Sequence, residues 1–134
     1  MDRRRLWSGA DASVPGGIAF FARFGWILFR LVGAVVTVPV AEELAFRGYL
    51  LRRLISADFA AVDPRRFTLL SFVVSSILFG VLHGQRWVAG IAAGMLYAWA
   101  FQRRARIGDA AAVHGITNGL LALWVLFTGN WTYW

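Results

Sequence analysis

The feature that most constrains this chain is a set of long apolar runs separated by short arginine clusters. Residues 110–134 hold 25 positions without an acidic or basic side chain, and residues 67–84 hold 18. Residues 31–51 form a run of 21, enough at about 1.5 Å each to cross a hydrocarbon core of about 30 Å. Residues 87–102 follow the 67–84 run after only Gln85-Arg86, which predicts two neighbouring antiparallel helices. Residues 18–30 read as a separate helix or half-span, and Pro39 is expected to kink the spanning helix just before Glu42. The fold expected is all-α: a polytopic transmembrane bundle of about four helices, with five as the upper count.

Composition agrees. Hydrophobic residues make up 59% of the 134 positions and charged ones 16%, against about 45–50% and 25% in soluble domains. So apolar and aromatic a chain is not disordered. All fourteen basic residues are Arg, and the net charge of +7 raises the question of nucleic acid. Their placement excludes it. They cluster at Arg52-Arg53, Arg65-Arg66 and Arg103-Arg104 with Arg106, between apolar runs, as arginines flank membrane spans. The absence of Cys excludes disulfides, thiol catalysis and Cys-based zinc sites.

The organisation expected is a polar tail over residues 1–16, closed by Pro15-Gly16-Gly17, and one transmembrane core over residues 17–134. The arginines at positions 3–5 have no apolar stretch directly behind them, so a cleaved signal peptide is not expected. Between the runs, residues 52–66 predict an interfacial loop ending in a helix-starting turn at Asp63-Pro64, and residues 103–109 a second basic loop. Trp131, Tyr133 and Trp134 read as an interfacial aromatic belt. Small residues four apart, Ala89/Ala93, Gly90/Gly94 and Gly115/Gly119, predict close helix packing in lipid and carry no chemistry. With four spans, the loops after the first and third helices hold seven arginines and the opposite side four. That places the two basic loops in the cytoplasm.

Ionisable residues inside spans point to function, because each costs about 2.5–3.5 kcal/mol at a helix centre. Here they are Glu42, Glu43, Arg47, His83 and His114, with the amide of Asn118 beside them. Glu43 and Arg47 lie four apart with the acid first, the favourable order for an ion pair on one helix face. Glu42 is rotated about 100° away and has no such partner, so one carboxylate is neutralised and the other is free to titrate. Phe79 and His83 also lie four apart, an aromatic wall beside an imidazole or a simple interfacial histidine. His114 and Asn118 repeat the spacing and offer two donors that either hold an oxyanion or tie helices together. Together these groups supply what hydrolysis needs: a carboxylate and an imidazole to activate water, opposite an oxyanion site.

The motifs Glu42-Glu43-x-x-x-Arg47, Phe79-x-x-x-His83 and His114-x-x-x-Asn118, in this order over residues 31–127, resemble those of the CPBP family of intramembrane endopeptidases. That family includes the Rce1-type CAAX prenyl proteases and the bacterial Abi proteins linked to bacteriocin processing and immunity. The segments Val38-Pro39-Val40-Ala41-Glu42-Glu43 and Ile107-Gly108-Asp109 further resemble its exosortase-associated branch. The resemblance implies that Glu42 is the general base, that His83 helps to activate water, and that His114 and Asn118 stabilise the oxyanion. Glu43 and Arg47 would shape the site. It implies a substrate protein or peptide at the bilayer, sorting-system or bacteriocin partners, and residence as a multi-pass protein of the inner or plasma membrane. Members commonly have more helices than this chain, which leaves a minimal core, a fragment or part of a fusion open.

No His-Glu-x-x-His signature is present, so no metal is required by this reading; a zinc ion, if bound, would take Glu42, His83 and His114. The alternative from another class is a non-catalytic scaffold or immunity protein of the same fold. A transporter fits poorly, since no internal repeat is visible. One feature resists assembly. Counted along the helices, Glu42 lies about 16 Å into its span, His114 about 7 Å from Asp109, and His83 about 25 Å from Arg66. If these groups meet, the second helix must protrude or sit displaced.

Overall fold

The computed structural model of the chain describes residues 16–133, with side chains over residues 20–132. The tail expected over residues 1–16 (Gly16 apart), the arginines at positions 3–5 and Trp134 lie outside the described residues. Among the described residues every regular element is helical, as the run lengths predict. The helices are α1 (residues 16–53), α2 (Leu69–Val81), α3 (Trp87–Arg104) and α4 (Ile107–Thr128), with 3₁₀ turns at Gly84–Arg86 and Trp131–Tyr133. Two stretches are long and apolar enough to cross a membrane: Phe20–Arg53, with 34 residues, and Ile107–Thr128, with 22. Leu69–Val81 is a shorter apolar helix.

α1 departs from expectation in an instructive way. The separate helix over residues 18–30 is not separate, and Pro39 does not break the chain. Proline has no N–H to close an α-turn onto residue 35. The helix absorbs this defect by widening just upstream. Gly33–Thr37 is π-helical, and the N–H of Val38 reaches back five residues to the Gly33 carbonyl. Val38 itself keeps helical dihedrals, φ −63° and ψ −50°. A second π segment, Leu44–Leu50, closes with the Leu51 N–H on the Phe46 carbonyl. Only the six residues Val38–Glu43 between them are α-helical. Such bulges open carbonyls to donors from outside the helix, and α4 uses one of them.

α2 starts later than the Asp63-Pro64 turn and ends earlier than residue 84. Asp63 closes its own turn, its carboxylate accepting from the Arg65 N–H at 2.8 Å. The N-cap is Thr68, in extended conformation, whose hydroxyl accepts from the Ser71 N–H at 3.2 Å, the ordinary way of satisfying a first-turn donor. The loop before it is pinned by Arg52, which donates to the Val62 and Ala60 carbonyls. The basic loop expected over residues 103–109 shrinks to Ala105-Arg106, because Ala105 takes the left-handed conformation (φ 55°) and reverses the chain at once. α3 and α4 are therefore tightly coupled neighbours.

The small residues set the helix spacings. A Cβ on Gly90 would lie 2.8 Å from the Gly80 Cα, and one on Gly94 would lie 3.1 Å from the Ser76 carbonyl oxygen, so α3 lies against α2 through these two glycines. Across the bundle, a Cβ on Gly115 would sit 2.5 Å from the Val35 carbonyl oxygen. That is backbone against backbone, with no flexible neighbour to yield. Gly115 is therefore where α4 meets the π-bulge of α1, and its neighbour His114 is carried in with it. Gly115→Ala is expected to destabilise the bundle by about 1–3 kcal/mol, the usual cost of overpacking. Gly108→Ala, on the same helix with open space around it, is the control. Equal melting temperatures for the two variants in detergent would show that the close approach is not needed.

Candidate active site

Glu42, Glu43, Arg47 and His114 gather where α1, α3 and α4 converge. Glu43 and Arg47, four apart across the junction of the α and second π segments, form a closed pair. Arg47 Nη1 donates to Glu43 Oε1 at 3.2 Å, and its Nε lies 3.1 Å from Oε2. Both side chains are fully buried, at 0% and 1% exposure, so the pair is dry and its partners matter. Arg47 Nη2 also donates to the Gly94 carbonyl on α3, and its guanidinium lies 4.8 Å from the Phe79 ring and 5.6 Å from the Tyr97 ring. Aromatic faces and a carbonyl replace the water that the guanidinium has lost.

The Glu43 carboxylate faces α4 as well. His114 Nδ1 lies 3.0 Å from Glu43 Oε1. A carboxylate held beside an arginine can only accept, so Nδ1 carries the proton and donates. This fixes the direction of the other nitrogen. Nε2 points at Glu42, with its Oε2 3.9 Å away. Glu42 differs from its neighbour as the helical rotation requires. Its side chain is 34% exposed, yet Oε2 is itself buried and has no hydrogen-bond partner among the described residues. An acidic oxygen without a donor, facing an imidazole and lying at the rim, is the reactive feature of the cluster.

Two motif residues stand differently. Asn118 donates through Nδ2 to the Ala34 carbonyl at 2.8 Å, satisfying an acceptor beside the π-bulge that Pro39 imposes. This is the helix tie weighed beside the oxyanion role, and one amide N–H stays uncommitted by it. His83 lies beyond the end of α2, at the entry to the Gly84–Arg86 turn. It is exposed, its Nδ1 is 2.8 Å from the Phe79 carbonyl oxygen, and its ring lies 4.7 Å from the Phe79 ring. Phe79 is the link: its opposite contacts are the His114 ring at 5.7 Å and the Phe46 ring at 5.1 Å. α2 is only 13 residues long, and His83 follows beyond its end, on a turn.

Sequence reasoning missed Tyr97. It is buried at 2% exposure, and its ring stacks on that of His114 at 4.4 Å and 16°. Gly90, Gly94 and Tyr97 are spaced four and three apart, on the face of α3 read only as packing. An aromatic on that face was the available signal. Among the described residues no three His, Asp or Glu side chains converge as a metal-binding group.

With this geometry in view, the comparisons with known proteins can be read. The family model described as type II CAAX prenyl endopeptidase Rce1-like matches residues 24–120. The chain belongs to the Rce1-like family. All the residues above lie within the matched Rce1-like region. The chain is also similar to the UPF0177 protein YxdF of Lactococcus lactis subsp. lactis (strain IL1403), at 27% identity over 86 residues. That match takes in 62% of this chain and 42% of the relative, so the chain spans less than half of the curated protein it matches. No solved structure matches it.

The two glutamates separate by experiment. Glu43→Gln leaves the Arg47 guanidinium buried beside a neutral amide. Breaking a buried pair from one side costs about 3–5 kcal/mol, so its melting temperature in detergent falls sharply. Glu42→Gln removes a charge whose buried oxygen has no hydrogen-bond partner and leaves melting unchanged or slightly raised. Equal losses for both variants would show that Glu42 is as structural as Glu43.

Proposed function

We propose that this chain is an intramembrane endopeptidase that hydrolyses a peptide bond in a membrane-associated protein or peptide, with Glu42 as the base. The observation carrying this reading is the unpartnered Oε2 of Glu42, 3.9 Å from His114 Nε2. Family membership makes the coarse statement, since the Rce1-like family is one of CAAX prenyl endopeptidases. The finer one is chemical. A water bound between Glu42 and the solvent side gives a proton to Oε2 while its oxygen attacks the scissile carbonyl carbon. His83, exposed beside Phe79, takes the outer side of that water. The carbonyl oxygen becomes an oxyanion, held by the free N–H of Asn118 and by Nε2–H of His114, whose ring is then the imidazolium with Nδ1–H still on Glu43. Glu42 then returns its proton to the departing amine as the C–N bond breaks.

Each remaining residue has a supporting task. Glu43 holds the His114 tautomer, Arg47 neutralises Glu43, and Phe79 separates and orients the two imidazoles. We place the chain as a multi-pass protein of the inner or plasma membrane, with the loops containing Arg52-Arg53, Arg65-Arg66 and Arg103-Arg104 in the cytoplasm. The site then lies near that face, and sorting-system or bacteriocin proteins are the partners proposed from the family.

Comparing new protein termini in membranes of cells producing the chain or its Glu42→Gln variant tests the reading without a known substrate. Termini that require Glu42 are expected. His83→Ala should lower their formation by about 10²-fold or more, as loss of a general acid–base group does, while melting is unchanged because the ring is exposed. Identical termini with and without Glu42 would leave a non-catalytic bundle.

The proposed mechanism uses no metal. Accordingly, EDTA or phenanthroline should leave the Glu42-dependent cleavage intact, and purified protein should carry no stoichiometric zinc. Activity lost to chelator and restored by zinc would replace the mechanism but keep the peptidase.

A further inference from the structure

The geometry points to Tyr97 as a positioning residue of the proposed site: its ring fixes the plane of the His114 imidazole, so that Nδ1 meets Glu43 while Nε2 faces Glu42. This rests on the peptidase reading for its consequence in catalysis, but its structural content stands apart from it. An imidazole held by one hydrogen bond can still rotate about that bond. His114 has a single short contact, 3.0 Å from Nδ1 to Glu43, and its approach to Glu42 is 3.9 Å, too long to lock the ring. What stops the rotation is packing on its faces and edges.

Tyr97 covers one face, nearly parallel at 16° and 4.4 Å. Phe79 meets the ring edge-on, at 76° and 5.7 Å. Tyr97 is anchored in turn, 5.7 Å from Phe79 at 88° and beneath the Arg47 guanidinium at 5.6 Å. The same guanidinium holds the carboxylate that holds Nδ1. One cation therefore fixes both the hydrogen bond and the stacking partner of His114. The positioning role assigned to Tyr97 belongs to its ring, which makes these contacts.

The chain has two histidines, so ¹⁵N-histidine labelling of the full chain in detergent, with His83→Ala to assign signals, reads His114 directly. Parent and Tyr97→Phe should both show ring protons of His114 shifted upfield by the stacked ring, a protonated Nδ1 and one tautomer. Tyr97→Leu should lose the upfield shift and show mixed tautomers. Glu42-dependent cleavage should survive in Tyr97→Phe and fall about 100-fold in Tyr97→Leu, the size of loss that a misplaced reacting group brings. If Tyr97→Leu fails to fold, Tyr97→Met, which fills the space without a ring, carries the same comparison. Unchanged His114 signals in the ring-less variants would overturn the positioning role, as would mixed tautomers with undiminished cleavage. Cleavage independent of Glu42 would instead remove the peptidase reading, and the tautomer measurement would still decide for or against Tyr97.

Discussion

The arrangement depends on one buried ion pair. Glu43 and Arg47 are a single turn apart on α1, and each would be intolerable alone in an apolar bundle. Once paired, each has valences left over, and these organise the rest. Arg47 reaches the Gly94 carbonyl on α3, while Glu43 reaches His114 on α4. Three helices are tied through one pair. Gly115 matters for the same reason: a side chain there would push α4 off α1, whereas one at Gly94 would push α3 off α2. The glycines set the distance and the ion pair uses it.

The pair also accounts for the difference between the adjacent carboxylates. Glu43 is ion-paired with a guanidinium and bonded by an imidazole. Glu42, rotated to the rim, faces the far nitrogen of that same imidazole. Because Glu43 accepts from Nδ1–H, the nitrogen offered to Glu42 is Nε2. A tautomer is thus selected on the buried side of the ring for use on the exposed side.

Much of this was legible in the sequence because it is written in spacings of four on helices. Glu43 with Arg47, Phe79 with His83 and the long apolar runs each follow from helical geometry alone. The contact of Asn118 with Ala34 was not legible, since it depends on a carbonyl opened by a π-bulge, and nothing local in Gly33–Thr37 states that the widening falls there. The continuity of α1 was misread for a related reason. Pro39 does remove a hydrogen bond, and the helix widens upstream while running on without a break. Tyr97 was passed over because a lone aromatic beside Gly90 and Gly94 reads as packing; only the position of His114 on another helix gives it a partner.

His83 carries the depth argument to its end. Counting along an unbroken helix put it far beyond the level of Glu42, and that count assumed α2 to run through residue 84. Instead α2 stops at Val81, and the chain turns through Gly84, whose φ of +58° suits a residue without a side chain. The histidine leaves the helical cylinder at that point and folds back against its own last turn, Nδ1 on the Phe79 carbonyl. Depth along α2 therefore belongs to Phe79, whose ring contacts Arg47, Tyr97 and His114, and not to His83. The Phe79-x-x-x-His83 spacing joins the two: the phenylalanine is built into the buried cluster, and the histidine lies exposed against it.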